Sequence, residues 1–348
     1  VQIIYRLGPV LAIFLFLVIA AACSDEPRQG HTPVQDVPNP NRPRVLYVNS
    51  YHRGYAWSDG IVCGIYRVFG IIPGTNGFDD SQAIVRFRQV DLDTKRHPEE
   101  RFKRLAARRA KEVIDQWQPD LVIVSDDNAV KYLVVPYLKG TNLPVVFCGV
   151  NWDASPYGLP CSNITGMIEI SLEDEVVARL RPYARGDRIG FIGPDVLTTR
   201  KEAANVKRFL GLDLIPYYAK DAEDFLRGFD LLQERCDILL INTDGGLYRD
   251  RLDTIIPHVQ QKARIPTGAM SNYMKDYALL TIGKVPEEQG EWAATTALAI
   301  LRGIPPAAIP LARNTRMQIF CNMQMAKRLG IVFPLDLIEE AFFVQETP

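Results

Sequence analysis

The chain has 348 residues, of which 47% are hydrophobic and 23% charged, and its formal net charge is -1. This is an ordinary globular composition with no electrostatic reason to bind nucleic acid. Its length implies two domains.

Residues 1–23 stand apart. Arg6 is a sparse positive n-region, Val10 to Ile19 an apolar core, and Ala20-Ala21-Ala22-Cys23 a small-residue cleavage site that ends in cysteine. The segment looks like a bacterial lipoprotein signal, cleaved before Cys23, with lipid on its thiol and on the new amino terminus. The alternative is a plain transmembrane anchor, for which the unbroken apolar run falls short of the roughly 20 residues a span needs. Residues 24–43 are polar and proline-rich with no hydrophobic period, so they read as a tether. Extended at about 3.1 Å per residue, it would hold the folded part up to roughly 60 Å from a membrane. Ser24 beside the cysteine resembles the outer-membrane sorting signal of Gram-negative bacteria. Of the six cysteines, five remain after Cys23, with no CxxC and no metal-type spacing. Free thiols are expected, with Cys148 and Cys161 the nearest pair in sequence should one disulfide form.

From Arg44 onward, strand and helix patterns alternate. Val45 to Asn49 is the first strand, Ser50 to Ser58 its loop, and Asp59 to Phe69 a helix with Ile61, Val62, Ile65 and Val68 on helical spacing. Ala83 to Val90 is the second strand and Pro98 to Trp117 a charged amphipathic helix. Residues 119–151 then form one complete unit. Asp120 to Val124 is a buried run, Ser125-Asp126-Asp127-Asn128 a polar tip with helix-capping residues, Ala129 to Leu138 the crossover helix, and Leu143 to Cys148 a second buried strand ending in Gly149-Val150-Asn151. After a loop the same design restarts, with strands at 188–192, 212–218, 237–242 and 266–270 and helices at 172–182, 198–210, 222–234 and 254–263. Leu279 to Ile282 and the helix Glu287 to Arg302 look like a return to the first domain, and 317–320, 322–329 and 334–341 close the chain. Short parallel strands alternating with helices make an α/β fold of two doubly wound, Rossmann-like lobes. The expected boundaries are 44–160 plus 275–309 for the first lobe and 161–274 plus 310–348 for the second.

Ligands of open α/β sheets sit outside the carboxyl ends of the strands, so a cleft between two such lobes would be lined by strand tips and would favour closure around a small ligand. Tyr51, Tyr55 and Trp57 offer rings for stacking while Ser50 offers a hydroxyl; alternatively Tyr55 and Trp57 only pack their loop onto the sheet. Asp126 and Asn128 are candidate contacts for an amine or hydroxyls, beside a helix N-terminus that favours an anion such as a carboxylate, and Asp127 is read as the helix N-cap. Asn151 and Asp153 are either ligand contacts or hinge residues. From the second lobe come Asp195, Thr198, Thr243, Asp244, Ser271 and Tyr273, where backbone N–H groups could hold an anionic end of the ligand, again with simple helix capping as the alternative for Asp195 and Thr243.

An enzyme is not expected. There is no GxSxG, P-loop, GxGxxG or HExxH, and no cofactor or metal is implied. The Asp126-Asp127 pair and the Ser50/His52 pair invite metal-dependent or hydrolytic readings but have no orienting partners in the sequence.

Three patches carry a family resemblance. IFCNMQMAKRLGIVFPLDLIEEA, GEWAATTALAILRGIPPAAIPL, and VLYVNSYHRGYAW with SDDNA and PVVFCGVN are together similar to the substrate-binding proteins of ABC transporters that have the type I periplasmic-binding fold. The last set also resembles extracytoplasmic sensor domains of histidine kinases and diguanylate cyclases. The resemblance implies an extracytoplasmic, periplasmic solute-binding lipoprotein. It would take a small, amino-acid-like or other polar organic molecule into the interlobe cleft by hinge closure and present it to an ABC permease. The alternative is a ligand-sensing subunit for a partner kinase or cyclase. Lacking a heptad or a long apolar stretch, the chain is expected to be a monomer.

Overall fold

The structure is a computed structural model that describes residues 42–75, 77–243 and 249–344. The expected signal segment with Cys23, nearly all of the expected tether and Asp244 lie outside the described residues.

In chain order the first elements are β1 (Arg44–Asn49), α1 (Ala56–Phe69), a short antiparallel hairpin of β2 (Ile72–Gly74) and β3 (Gly77–Asp79), β4 (Arg86–Asp91), α2 (Glu100–Trp117) and β5 (Leu121–Ser125). Then come α3 (Asp126–Ala129), β6 (Val145–Asn151) and β7 (Ile164–Glu169). The expected crossover helix is divided: α3 runs on as a π-helix over Val130–Leu138, in which Pro136 supplies no N–H. The second lobe holds α4 (Glu173–Leu180), β8 (Ile189–Pro194), α5 (Leu197–Asn205), β9 (Leu214–Ala219), α6 (Ala222–Arg235), β10 (Ile238–Ile241), α7 (Leu252–Lys262), β11 (Thr267–Ala269) and β12 (Leu280–Lys284). The chain ends with α8 (Pro286–Leu301), β13 (Ala312–Arg313), β14 (Met317–Cys321), α9 (Met323–Leu329), α10 (Leu335–Glu340) and β15 (Ala341–Phe343).

Two large sheets result. The first has the order β13-β7-β6-β5-β1-β4 and every pair is parallel. The second runs β15-β14-β12-β11-β10-β8-β9, parallel except where β14 lies antiparallel to β12. Strands covered on both faces lose all polar alternation, as β1 shows. Its Val45 and Tyr47 enter a core with Ile61, Ile65, Ala293 and Ala297 of α1 and α8, while Leu46 and Val48 point the other way, into a core with Ala107, Ala110 and Leu133. Helices α1 and α8 meet backbone to backbone. A Cβ on Gly64 would come within 2.2 Å of the Glu287 carbonyl, and one on Gly290 within 1.9 Å of the Ile61 carbonyl.

The lobe boundaries differ from those expected. Residues 164–169, beyond the expected limit at 160, are a strand of the first sheet, because ITGMIE pairs along β6. Residues 280–284 belong to the second sheet, paired with β11 and β14, so the return to the first lobe begins only with α8 at Pro286. β13, expected in the second lobe, pairs with β7 of the first. An apolar run such as Leu279 to Ile282 suits either sheet, and only its long-range neighbours decide between them.

Candidate functional site

Among the described residues the chain crosses between the two sheets three times: after β7, after β12 and after β13. These crossings are tied to one another. Asn314 of the third accepts from the Ile170 N–H at 2.7 Å and donates to the Ile170 carbonyl at 3.1 Å, which joins it to the first. Glu288, at the start of α8, accepts from the Thr315 N–H at 2.9 Å, the Thr315 hydroxyl at 3.0 Å and the Arg316 N–H at 2.9 Å, which joins the second to the third. Lys284, the last residue of β12, donates to Glu169, the last residue of β7.

Both sheets have their switch point on the side of these crossings. In the first, the connections diverge between β1 and β5, whose carboxyl ends carry Ser50 and Asp126; in the second they diverge between β8 and β10, which lead to Thr198 and Thr243. Asp126 is the most unusual residue of the first. It is 2% exposed, has φ +65, and accepts from Trp57 Nε1 at 2.9 Å through Oδ1, while Oδ2 has no hydrogen-bond partner among the described residues. Burial, reinforced by the nearby Glu169 carboxylate, pushes its pKa well above the ordinary aspartate value, against the pull of the Trp57 bond and of the nearby Ser125 hydroxyl, which does not complete a hydrogen bond to Oδ2. A left-handed backbone on a non-glycine residue and an unpartnered buried oxygen both cost free energy, and such costs cluster at functional sites.

Gly149 shapes the wall beside Asp126. It has φ +68, and the β6/β7 register shifts between Phe147 and Val150 around it. Its N–H donates to Gln289 Oε1 at 2.9 Å, and a Cβ there would lie 3.0 Å from Asp126 Oδ1. Lys284 Nζ lies 5.8 Å from the centroid of the Trp57 ring, within cation–π range, so Asp126, Trp57, Lys284 and Glu169 are contiguous. Burial alone would lower the Lys284 pKa, but the carboxylates of Glu169, Glu202 and Glu173 outweigh it and keep the ammonium charged.

On the second lobe's side is a cavity of about 210 Å³, lined by Ser171, Thr198, Thr199, Glu202, Asn242, Thr243, Met270, Ser271 and Lys284. It is smaller than the roughly 300–1,000 Å³ of pockets for drug-sized ligands, so it suits a small solute or part of one. The lobes also touch at its rim. Trp152, at φ +61, donates from Nε1 to Glu202 Oε2 at 3.0 Å and stacks on Phe209 with centroids 5.6 Å apart, and Arg208 approaches Asp153 at 3.8 Å.

The sequence candidates divide between this region and simple structural duty. Trp57 and Asp126 meet directly, and Thr198, Thr243 and Ser271 line the cavity. Tyr51 and Tyr55 pack edge to face at 5.3 Å with Lys95 over both rings; burial, with Asp126 and Glu169 nearby, raises the Tyr51 phenol well above its usual value. Ser50 is engaged within the protein: its hydroxyl donates to the Ser125 carbonyl at 2.5 Å and accepts from the Ala129 N–H at 2.8 Å. Asn128 donates to Thr94 at 2.9 Å, and Asn151 donates to Asp127 at 2.7 Å. Asp127 is not the helix N-cap. Ser125 holds that position, and the Asp127 carboxylate instead accepts from Asn151 and from the Tyr157 hydroxyl at 2.7 Å, fastening one loop to the next. Asp153 closes its own turn by accepting from the Ser155 side chain and N–H, which hold its pKa down. Asp195 pairs with Arg200, and Tyr273 is half exposed and does not line the cavity. Asp244 lies outside the described residues.

Glu169, Ser171, Glu173, Glu202 and Lys284 are not among the sequence candidates. Lys284 is a strand tip, the position that draws attention to Asp126, but assigning residues 279–282 to the first lobe hides it. The five described cysteines, Cys148 and Cys161 included, are unbridged.

The chain matches a family model described as ABC transporter substrate binding protein over residues 101–345. No curated protein matches it. Among solved structures it is similar to the ligand-free, open structure of a substrate binding protein with adhesive properties from Clostridium difficile, at 18% identity over 88% of this chain and 100% of that chain, with a TM-score of 0.66. It is also similar to a conserved domain protein from Vibrio cholerae (17% identity, 87% and 100% coverage, TM-score 0.54). A third is the ABC domain in complex with L-Trp from Streptococcus pneumonia (16% identity, 87% and 100% coverage, TM-score 0.53). At these identities the likeness is one of fold.

Proposed function

The chain belongs to the family of ABC transporter substrate-binding proteins, and from that premise we propose that it captures a small, amino-acid-like organic amine between its lobes and presents it to an ABC permease. The observation that carries this reading is Asp126: a buried carboxylate at a switch point, with one oxygen held by Trp57 and the other without a partner among the described residues. A ligand ammonium would supply both the missing donor and the charge that burial disfavours, a charge-assisted bond about twice as strong as a neutral one. The Trp57 ring beside it favours a cation or an apolar side chain. The solved relative that holds L-Trp agrees with a ligand of this size, though at 16% identity it speaks for its own ligand.

Closure would bring the tip of the first sheet and the cavity of the second onto one ligand, with the three tied crossings as the hinge. We place the protein outside the cytoplasm, tethered through lipid on Cys23, a reading supported by the Ala-Ala-Ala-Cys pattern and the polar stretch behind it. No helix of the described residues is long and apolar enough to cross a membrane.

Thermal unfolding of residues 24–348 against amino acids, amines, purines, sugars and short peptides tests this. A ligand at about 100 times its dissociation constant stabilises the folded state by about 2.7 kcal/mol. The expected hit carries a primary amine, and Asp126→Asn abolishes its shift. A hit confined to uncharged sugars, or an amine hit indifferent to Asp126→Asn, would overturn the reading.

A further inference from the structure

Glu173 is the first residue of α4 and is 0% exposed, and neither carboxyl oxygen has a hydrogen-bond partner among the described residues. Its charged neighbours are Glu202 and Lys284, while the Ser171 hydroxyl and the Glu173 N–H lie near enough to lower its pKa without completing a hydrogen bond; Glu173 sits directly behind a cavity lining that includes Ser171, Glu202 and Lys284. Glu169, Glu173 and Glu202 thus bring three carboxylates to the surroundings of one ammonium, and that ammonium, on Lys284, is already bonded to Glu169. The remaining lining residues are uncharged.

We propose that this cavity is a subsite for a second cationic group of the ligand, an ammonium or guanidinium, with Glu173 and Glu202 as its counter-ions. The ligand would then be a dibasic solute, such as a basic amino acid or a diamine. Its first amine would lie at Asp126, so the inference rests on the amine-capture reading above and extends it to the other lobe.

A buried acid with two unpartnered oxygens is costly in either protonation state: charged it has only a share of Lys284, which is bonded to Glu169, and neutral it lacks both a donor and an acceptor. A neutral hydroxyl would correct only part of this. An ammonium supplies several N–H donors and the charge together. Burial, with Glu202 nearby, raises Glu173 to about 8, so near neutrality the empty site is largely protonated and a bound cation would expel that proton. Glu202 is already oriented by the Trp152 indole, which reaches it from the first lobe. Cation binding and the meeting of the lobes would therefore share one carboxylate.

The test is isothermal titration calorimetry of the purified 24–348 chain with matched pairs: L-lysine against L-norleucine and L-arginine against L-citrulline, with putrescine against n-butylamine as the carboxylate-free pair. Each pair differs in one positive charge at nearly constant shape. At least one charged member is expected to bind at least tenfold more tightly than its partner. Glu173→Gln should bring that ratio to within about threefold of unity, and Glu202→Gln should reduce it. Titration at pH 7 in two buffers of different ionisation enthalpy should show proton release for wild type and less for Glu173→Gln. Equal affinity within every pair would overturn the subsite while leaving capture at Asp126 standing. A charge preference unaffected by both substitutions would overturn its assignment to these residues. If no member of any pair binds, the amine reading itself falls, and the subsite with it.

Discussion

Lys284 and Glu169 end β12 and β7, one strand from each sheet, and their ion pair joins two of the three crossings at the point where each leaves its sheet. Glu169 is only 8% exposed, so removing the lysine leaves a largely buried charge without its partner. Lys284→Met should destabilise the protein by about 1–3 kcal/mol in urea unfolding, less than a fully buried pair because the lysine retains some solvent contact. Adding Glu169→Gln should restore most of that loss, giving a coupling above about 1 kcal/mol. Additive effects would show that the pair contributes nothing across the hinge.

The glycine contact between α1 and α8 is equally specific. A methyl on Gly290 would overlap the Ile61 carbonyl, a backbone atom that no rotamer change can move away. Gly290→Ala should cost about 1–3 kcal/mol as overpacking, and the displaced α8 should shift Glu288 against Thr315 and Arg316. Thermal unfolding reads the first effect and faster amide exchange at residues 315 and 316 the second. A variant with wild-type stability would mean that the helices separate freely.

Glu173 makes stability depend on pH in a defined sense. Its pKa is raised from 4.5 to about 8, so between these values the folded state holds a proton that the unfolded state has lost. Stability therefore falls as pH rises through this window, by at most about 1.4 kcal/mol for each pH unit crossed. Glu173→Gln should match wild type near pH 4.5 and exceed it above pH 8 by an amount on the order of 3 kcal/mol. Denaturant midpoints at pH 5, 7 and 9 decide this, and a gap that stays constant across them would assign the carboxyl an unperturbed titration.

Asp126 should trade stability against binding. Glycine removes both the left-handed strain and the buried acid, each worth on the order of 1 kcal/mol or more, although the Trp57 bond is lost with them. Asp126→Gly is expected to melt at or above the wild-type temperature while failing to respond to any amine that shifts wild type. A clearly destabilised glycine variant would make Asp126 a structural residue.

The buried strands were legible because β1, β5 and β6 are runs dominated by Val, Leu, Ile and Phe, with no polar alternation, as a strand covered on both faces requires. Asp126 was legible for the same reason, as the polar residue at the end of such a run. β7 was not, since ITGMIE is short and interrupted by glycine, and its strand character comes from pairing with β6. Glu169 and Glu173 left no local signal, and the strand-tip position of Lys284 was hidden by the lobe assignment, because what distinguishes these residues is that Lys284 meets the two carboxyls across more than 100 positions of chain. Ser50 and Asp127 were placed in the right neighbourhood, but which partner a hydroxyl or carboxylate takes is settled in three dimensions.

The three crossings bear on how the chain can be assembled. β1 to β7 are made first, yet α8, which covers α1 and one face of β5 and β6, follows only after about 115 further residues, which build the other lobe. Until then the α8-facing side of Ile61, Ile65 and Gly64 and the outer face of β5 and β6 lack their cover, the kind of apolar surface on which partly made chains associate. A chain stalled before residue 286 would therefore present a nearly complete second sheet attached to an unfinished first lobe, and holdase chaperones should retain such fragments far longer than the full-length protein.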